Sequence, residues 1–498
     1  MFRYTSSSQI SLDDFMDNLG KKLNSQNRWV KLAQQIPWDE LAKIYAESLS
    51  EDMGRPCKDA RLVIGAIIIK HKKGLPDEEV IPEIQENPYL QYFVGLKEFT
   101  HDPIFDPSLF VTLRERLGRS SFDQFSQKFI EKVNSVEHVK KKKASGGRIE
   151  KKENNQPSDQ AKDFSNQGQL LLDAVVAPQD IKYPTDLDLL NEAREHTEAL
   201  VDQLWHPEKG KRKPRTHRQI ARKSYLKTVL KRRKSKKELR KSIRKQLGCL
   251  ARNFKIINQL LDDRSDNSLP FSNRNLKKYW VVQEVYRQQK QMYDTKSHTV
   301  PDRIVSLPQP HVRPIVRGKA GRDVEFGAKL SVSLVEGYAY LDHLSWDAFN
   351  ESGDLICQVE NYKQRFGFYP ASVHADKIFG TRDNRQYLKD HGIRFSGKPL
   401  GRPPKLSKEE KRELKKGLSV RNRIEGKFGE GKRKYDLDLI KAKTPRTSES
   451  WIACVFFVMN LALWLRADFF VSNFLTIFKW PTTLIPIFKE RFNMVMVY

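Results

Sequence analysis

Cysteine is scarce in this chain. Four residues in 498, Cys57, Cys249, Cys357 and Cys454, stand too far apart to form any Cys-x-x-Cys pair. That spacing argues against a disulfide framework and a cysteine zinc site, and fits the reduced thiols of a cytosolic protein. No Gly-x-x-x-x-Gly-Lys-Ser/Thr loop occurs, so a P-loop ATPase is excluded. The stretch MFRYTSSSQISLDDFMDNLG has no apolar signal core. Negative charge is in deficit, with 62 Asp+Glu against 90 Lys+Arg and a formal net charge of +28. Such an excess asks for a polyanionic partner, either nucleic acid or an acidic membrane surface. Aromatics are sparse in the most basic stretch, Lys209 to Lys245. A base-stacking platform for single strands is therefore disfavoured there, and contact with duplex phosphates is the simplest role. A solvated helical face is the plainer alternative. A long apolar run, Trp451 to Leu465 (WIACVFFVMNLALWL), falls short of the ~20 residues needed to span a bilayer and contains Asn460. It is expected to be a buried core helix.

What is present is enough apolar material for real cores, at 38% hydrophobic residues, and length for roughly two to four domains. Residues 1–136 read as an all-α domain. Within it, Asp59 to His71 is a strongly apolar helix, broken by Lys-Lys-Gly-Leu-Pro before a second helix from Asp77. That pair is either a helix-turn-helix that recognises DNA ends or an ordinary helical hairpin. Residues 137–169 form a basic, flexible linker.

Leu170 to Val176 has the length of a buried strand, yet Asp173 sits in its middle. A carboxylate in a core strand is costly unless it is paired or bound to metal. Asp180, Asp186 and Asp188 have ordinary capping explanations. A basic helical insertion spans about 187–305, with Lys231, Arg232, Arg233 and Lys234 at its most cationic point. Strands are expected at Pro314–Val316, Val324–Leu334 and Tyr338–Leu341, and a helix over Ser345–Phe366. A short strand then ends in Asp376, followed by a helix over Asp383–His391 and a strand near Ile393. Ser419 to Tyr435 (SVRNRIEGKFGEGKRKY) reads as a helix that sets Arg421, Glu425 and Lys432 within ~40° of one another. One carboxylate beside two cations suits a metal ion next to a polyanion, or simply an exposed charged helix with an i,i+4 pair. Residues 471–498 form an aromatic tail.

Without its insertion, the order is that of an RNase H-like mixed sheet, in which acids on two neighbouring strands meet an acid on a helix. Three such carboxylates suit two divalent cations serving phosphoryl transfer. Here the sequence resembles the insertion-sequence DDE transposases of the group named after insertion sequence five. LLLDAVVAPQDIKYPTDLDLLNEAR resembles the block around the first Asp of that family, and VHADKIFGTRDNRQYLKDHGI that around the second. RNRIEGKFGEGKRKYDLDLIKAK resembles its Glu block. Of the signature Tyr-x2-Arg-x3-Glu-x6-Lys, this chain keeps Arg421, Glu425 and Lys432 and has Leu418 in place of Tyr.

The resemblance implies an α/β RNase H-like catalytic domain over 170–470 behind the helical N-terminal domain. It implies cleavage at element ends and strand transfer, using two Mg2+ or Mn2+ ions, with Asp173, Asp376 and Glu425 as catalytic metal ligands. Arg421 and Lys432 would hold phosphate or terminal nucleotides. Phe379 would either stack on an unpaired end base or pack beneath the site. Arg402, in Gly401-Arg402-Pro403, would sit in a minor-groove hook or a plain turn. The expected partners are double-stranded terminal repeats and target DNA, bound by a homodimer in the cytoplasm at the nucleoid. The alternatives are an RNase H-like nuclease that never rejoins strands and a DNA-binding protein that has lost catalysis.

Overall fold

The computed structural model describes residues 12–17, 20–49, 57–144, 166–205, 212–263, 270–319, 322–397, 401 and 408–478. The chain packs as two compact units, one of residues 1–177, 329–344 and 349–498, the other of residues 178–328 and 345–348.

In the first unit, helices α1 (Arg28–Gln35), α2 (Trp38–Glu47), α3 (Ala60–Lys73), α4 (Asp77–Glu86) and α5 (Pro88–Phe93) precede the long α6 (Leu109–Ala144). Local chemistry sets their ends. The Asp59 carboxylate accepts from the Arg61 and Leu62 amides at 2.9 and 3.3 Å and so caps α3. Gly74 closes it in the left-handed region at φ 68°, a conformation that costs glycine no Cβ clash. Strand β1 (Gln169–Pro178) buries Leu170, Leu171, Leu172, Val175 and Val176 and leaves Asp173 half-buried. The expected linker falls partly on α6, and residues 145–165 lie outside the described residues.

The second unit is built on α7 (Asp186–Leu204), α8 (Arg218–Val229), α9 (Lys236–Asp262) and α10 (Asn273–Thr295). Leu190, Ala193, Leu250, Val282 and Val285 form the core of α7, α9 and α10. Ser235 and Glu238 start α9 with a reciprocal capping box. Strand β2 (Arg313–Lys319) pairs antiparallel with the opening half of β3 (Arg322–Val335), from Arg313↔Gly327 to Val316↔Val324.

The second half of β3 returns the chain to the first unit. There follow β4 (Tyr338–Ser345), a 3-10 turn at Glu351–Asp354, α11 (Leu355–Phe366), β5 (Ser372–His374) and a 3-10 turn at Lys377–Phe379. Then come α12 (Arg382–Asp390), β6 (Arg394–Phe395), α13 (Lys408–Lys434) and α14 (Pro445–Phe478). The strand order is β3-β1-β5-β6, with β4 on β3, and β1, β5 and β6 run parallel. This mixed sheet with its helices is the expected α/β architecture of RNase H-like type.

One expected element differs. The helix predicted over Ser345–Phe366 begins only at Leu355, because the Asn350 side chain accepts from the Ser352 amide at 3.2 Å and holds a tight turn there.

The apolar run at 451–465 is a core helix. Of its most apolar window, long and apolar enough by composition to cross a membrane, 83% is buried inside the protein. Phe457 packs on Phe122 and Phe125 of α6, and Trp464 packs on Phe129. Each such ring contributes about 1.5–3 kcal/mol by leaving water. The helices α1–α6 thus share one compact unit with the sheet. Asn460, fully buried, is satisfied by Ala339 of β4: its side chain accepts from the Ala339 N–H at 2.9 Å and donates to the Ala339 carbonyl at 2.8 Å.

Candidate active site

Strand β1 meets β5 in parallel register, Gln169↔Ser372, Leu170↔Val373 and Leu171↔His374. Asp173 follows Leu171 by two residues, and Asp376 follows His374 by two. Because side chains alternate with period two, Asp173 emerges on the face of β1 that carries Leu171. The structure therefore brings two acids 203 positions apart to matching places two residues past the same register pair, Asp173 within β1 and Asp376 just beyond β5.

The third acid arrives on α13. Gly417 lets that helix come close to the sheet, since a Cβ there would stand 2.9 Å from the Ser396 Cβ. One turn further on, the Arg421 guanidinium lies 3.6 Å from an Asp173 oxygen and 3.0 Å from Glu425 Oε1. Arg421 thus bridges two of the three acids. Asp376 is exposed, caps the 3-10 turn that follows it, and accepts from the Lys377 amide at 2.6 Å.

Electrostatics single out Asp173. Burial pushes its carboxyl up to about 6; the Ala174 N–H and Arg421 oppose this, and the Glu351 and Glu425 carboxylates push it further up. The Ala174 amide donates to Asp173 Oδ1 at 2.8 Å. Glu351 is the member that sequence reasoning missed. It pairs with Lys329 at 2.9 Å, and Lys329 also donates to the Phe349 carbonyl at 2.8 Å. An acid in a polar loop gives no signal of its own; only the folding of the 3-10 turn against the site reveals it.

The donor set suits a hard divalent cation, since every candidate ligand is a carboxylate oxygen. Asp173, half-buried among like charges, is the kind of group a cation would relieve. Among the described residues, however, no three of these acids converge closely enough to hold one ion, and Arg421 stands between two of them.

The other expected site residues are dispersed. Phe379 is fully buried beneath its 3-10 turn, which Asn384 ties down by donating to the Phe379 and Ser352 carbonyls at 2.9 and 2.8 Å. Packing, rather than stacking on a base, is what Phe379 does in this conformation. Lys432 is half-buried near the end of α13. Lys231, Arg232, Arg233 and Lys234 are exposed in the turn between α8 and α9, with Lys231 paired to Glu238 at 2.5 Å. Arg402 lies outside the described residues.

The helical hairpin α3–α4 forms, and the outer face of its second helix is acidic. The outer face of α4 shows Glu78, Glu79, Pro82 and Glu86, which repel phosphate. At its turn, Asp77 engages Lys70 at 2.9 Å and Arg114, and both cations lie over the Trp451 ring. Those charges are committed to the interior.

A mixed sheet with one acid on β1, one just past β5 and a further acid on α13 resembles the arrangement of DDE transposases. Two family models match the chain: Transposase DDE domain over residues 373–462, and Transposase domain (DUF772) over residues 17–116. These matches show the resemblance to insertion-sequence DDE transposases, one toward each end of the chain. The chain is also 33% identical over 119 residues to "Uncharacterized protein ORF8 in nfe locus" of Rhizobium meliloti, covering 24% of this chain and 57% of that protein. No solved structure matches.

Proposed function

We propose that this transposase binds the ends of an insertion sequence and catalyses metal-dependent strand cleavage and strand transfer through Asp173, Asp376 and Glu425. The observation that supports the reading is the parallel register Leu171↔His374, two residues before Asp173 and Asp376, together with the Arg421 contacts to Asp173 and Glu425. Mg2+ or Mn2+ bound there would supply a Lewis acid and an activated oxygen nucleophile. Asp173, Asp376 and Glu425 would hold it. Arg421, fixed at Glu425, would turn to a non-bridging phosphate oxygen, for which its planar fork is suited. Lys432 would hold the same strand further along the helix.

The test uses purified full-length chain, labelled duplexes ending in the element's terminal repeats, and Mg2+. Cleavage at the ends together with joined products supports the reading. Cleavage without joining points to a nuclease, and binding without either to a protein that has lost catalysis.

A further inference from the structure

We infer that a cleft in the first unit, lined by Arg28, Lys72, Lys73, Tyr435 and Arg466, seats a backbone phosphate of the bound DNA duplex. The cleft encloses about 400 Å3 and is formed by the start of α1, the end of α3, the residue after α13 and the middle of α14.

Its charges do not balance. Lys73 is neutralised by Glu83, while Arg466 and Lys427 share the single carboxylate of Glu430. Among the described residues, Arg28 and Lys72 have no carboxylate partner. Both lie against the Trp29 ring, whose centroid is 5.8 Å from the Arg28 guanidinium carbon and 6.0 Å from Lys72 Nζ. A ring face compensates a cation weakly, by about 0.5–1 kcal/mol where solvent is near. Arg28, Lys72, Arg466 and Lys427 against Glu430 leave a local excess of three positive charges. Lys72 feels this: burial first, then Arg28 and Arg466, push its ammonium down to about 8.

The position of the cleft selects the ligand. Tyr435 ends the helix that carries Glu425, ten residues on, which is about 15 Å along its axis. A strand engaged near Glu425 presents a phosphate roughly every 3.4 Å, so a duplex running along α13 reaches the cleft within a few nucleotides. The acidic face of α4 turns DNA away from the hairpin, and this cleft offers the N-terminal helices another way to touch it. The inference rests on the transposase reading, but its test does not need catalysis.

Duplex binding by the full chain would be followed by fluorescence anisotropy across roughly 50–200 mM salt, with Arg28→Gln/Lys72→Gln and Lys72→Arg alongside wild type. Melting temperatures near wild type establish that the variants fold. Loss of the seated phosphate should flatten the log–log salt dependence by about 0.9 in the double variant. Lys72→Arg, which keeps the charge, should keep the wild-type slope. If wild type binds duplex and the double variant shows the same slope, the cleft assignment is overturned while the transposase reading stands. If wild type binds no duplex, both fall. Binding of poly-glutamate that the double variant alone loses, with DNA binding intact, would assign the cleft to an acidic protein segment instead.

Discussion

Asp173 and Asp376 stand two residues beyond the same pair, Leu171 and His374, which joins β1 to β5 in parallel. Neither acid is near the other in sequence. Their relation exists only because two strands adopt one register, and a one-residue slip would turn one acid to the opposite face.

The first prediction follows from that register. Asp173→Asn, Asp376→Asn and Glu425→Gln should each bind element ends with wild-type affinity and fail to cut or join strands in Mg2+. A two-ion site loses its placement when one bridging carboxylate goes. Asp180→Asn, in an exposed loop, should keep substantial activity. A variant of the three that cleaves near the wild-type rate removes that residue from the assignment.

Asp173 also makes a prediction about stability. Its folded carboxyl titrates near 6 against an ordinary 3.8, so between those values the folded state holds a proton that the unfolded state releases. Stability of the metal-free protein therefore falls as pH rises through this window, by about 3 kcal/mol at most. Asp173→Asn lacks the penalty. It should melt above wild type at pH 7, and the two should converge below pH 4. Parallel curves across this range would show that Asp173 ionises normally.

Arg421 occupies the position between two acids that a divalent ion would claim. Arg421→Ala should bind Mn2+ more tightly in the absence of DNA, by about 5-fold for the ~1 kcal/mol of a partly exposed pair. The same variant should lose strand cleavage. Calorimetry showing unchanged Mn2+ affinity would mean that arginine and ion do not compete.

The cations at the α8–α9 turn are solvent-exposed and, Lys231 apart, show no ion pair among the described residues. Replacing Lys231, Arg232, Arg233 and Lys234 by Gln should weaken binding to all duplexes alike. The salt slope should drop by about 0.9 for each phosphate contact removed. Filter binding that finds the slope intact would leave these charges as a solvated surface.

Asn460 tests the reading of α14 as a buried core helix. Asn460→Leu strands the Ala339 N–H and carbonyl in the interior. At about 1–3 kcal/mol for each unsatisfied group, the variant should be destabilised by several kcal/mol in urea unfolding. A near-neutral effect would mean water reaches Ala339.

The sequence by itself determined the local elements and the identity of the acids. Apolar runs placed β1 and α14, turn residues placed β2, β3 and β4, and an acid inside a buried strand marked Asp173. These signals are local, because hydrophobic period and turn chemistry act over a few residues. The register of β1 on β5, the bridge from Arg421 to Asp173, and the approach of Glu351 were decided only by the tertiary structure. So were the burial of Phe379 and the acidic outer face of α4, which depend on what each element packs against. Charge counts cannot tell a lysine paired inside, as Lys70 is with Asp77, from one left facing an empty cleft, as Lys72 is, because pairing is set by contacts between elements distant in the chain.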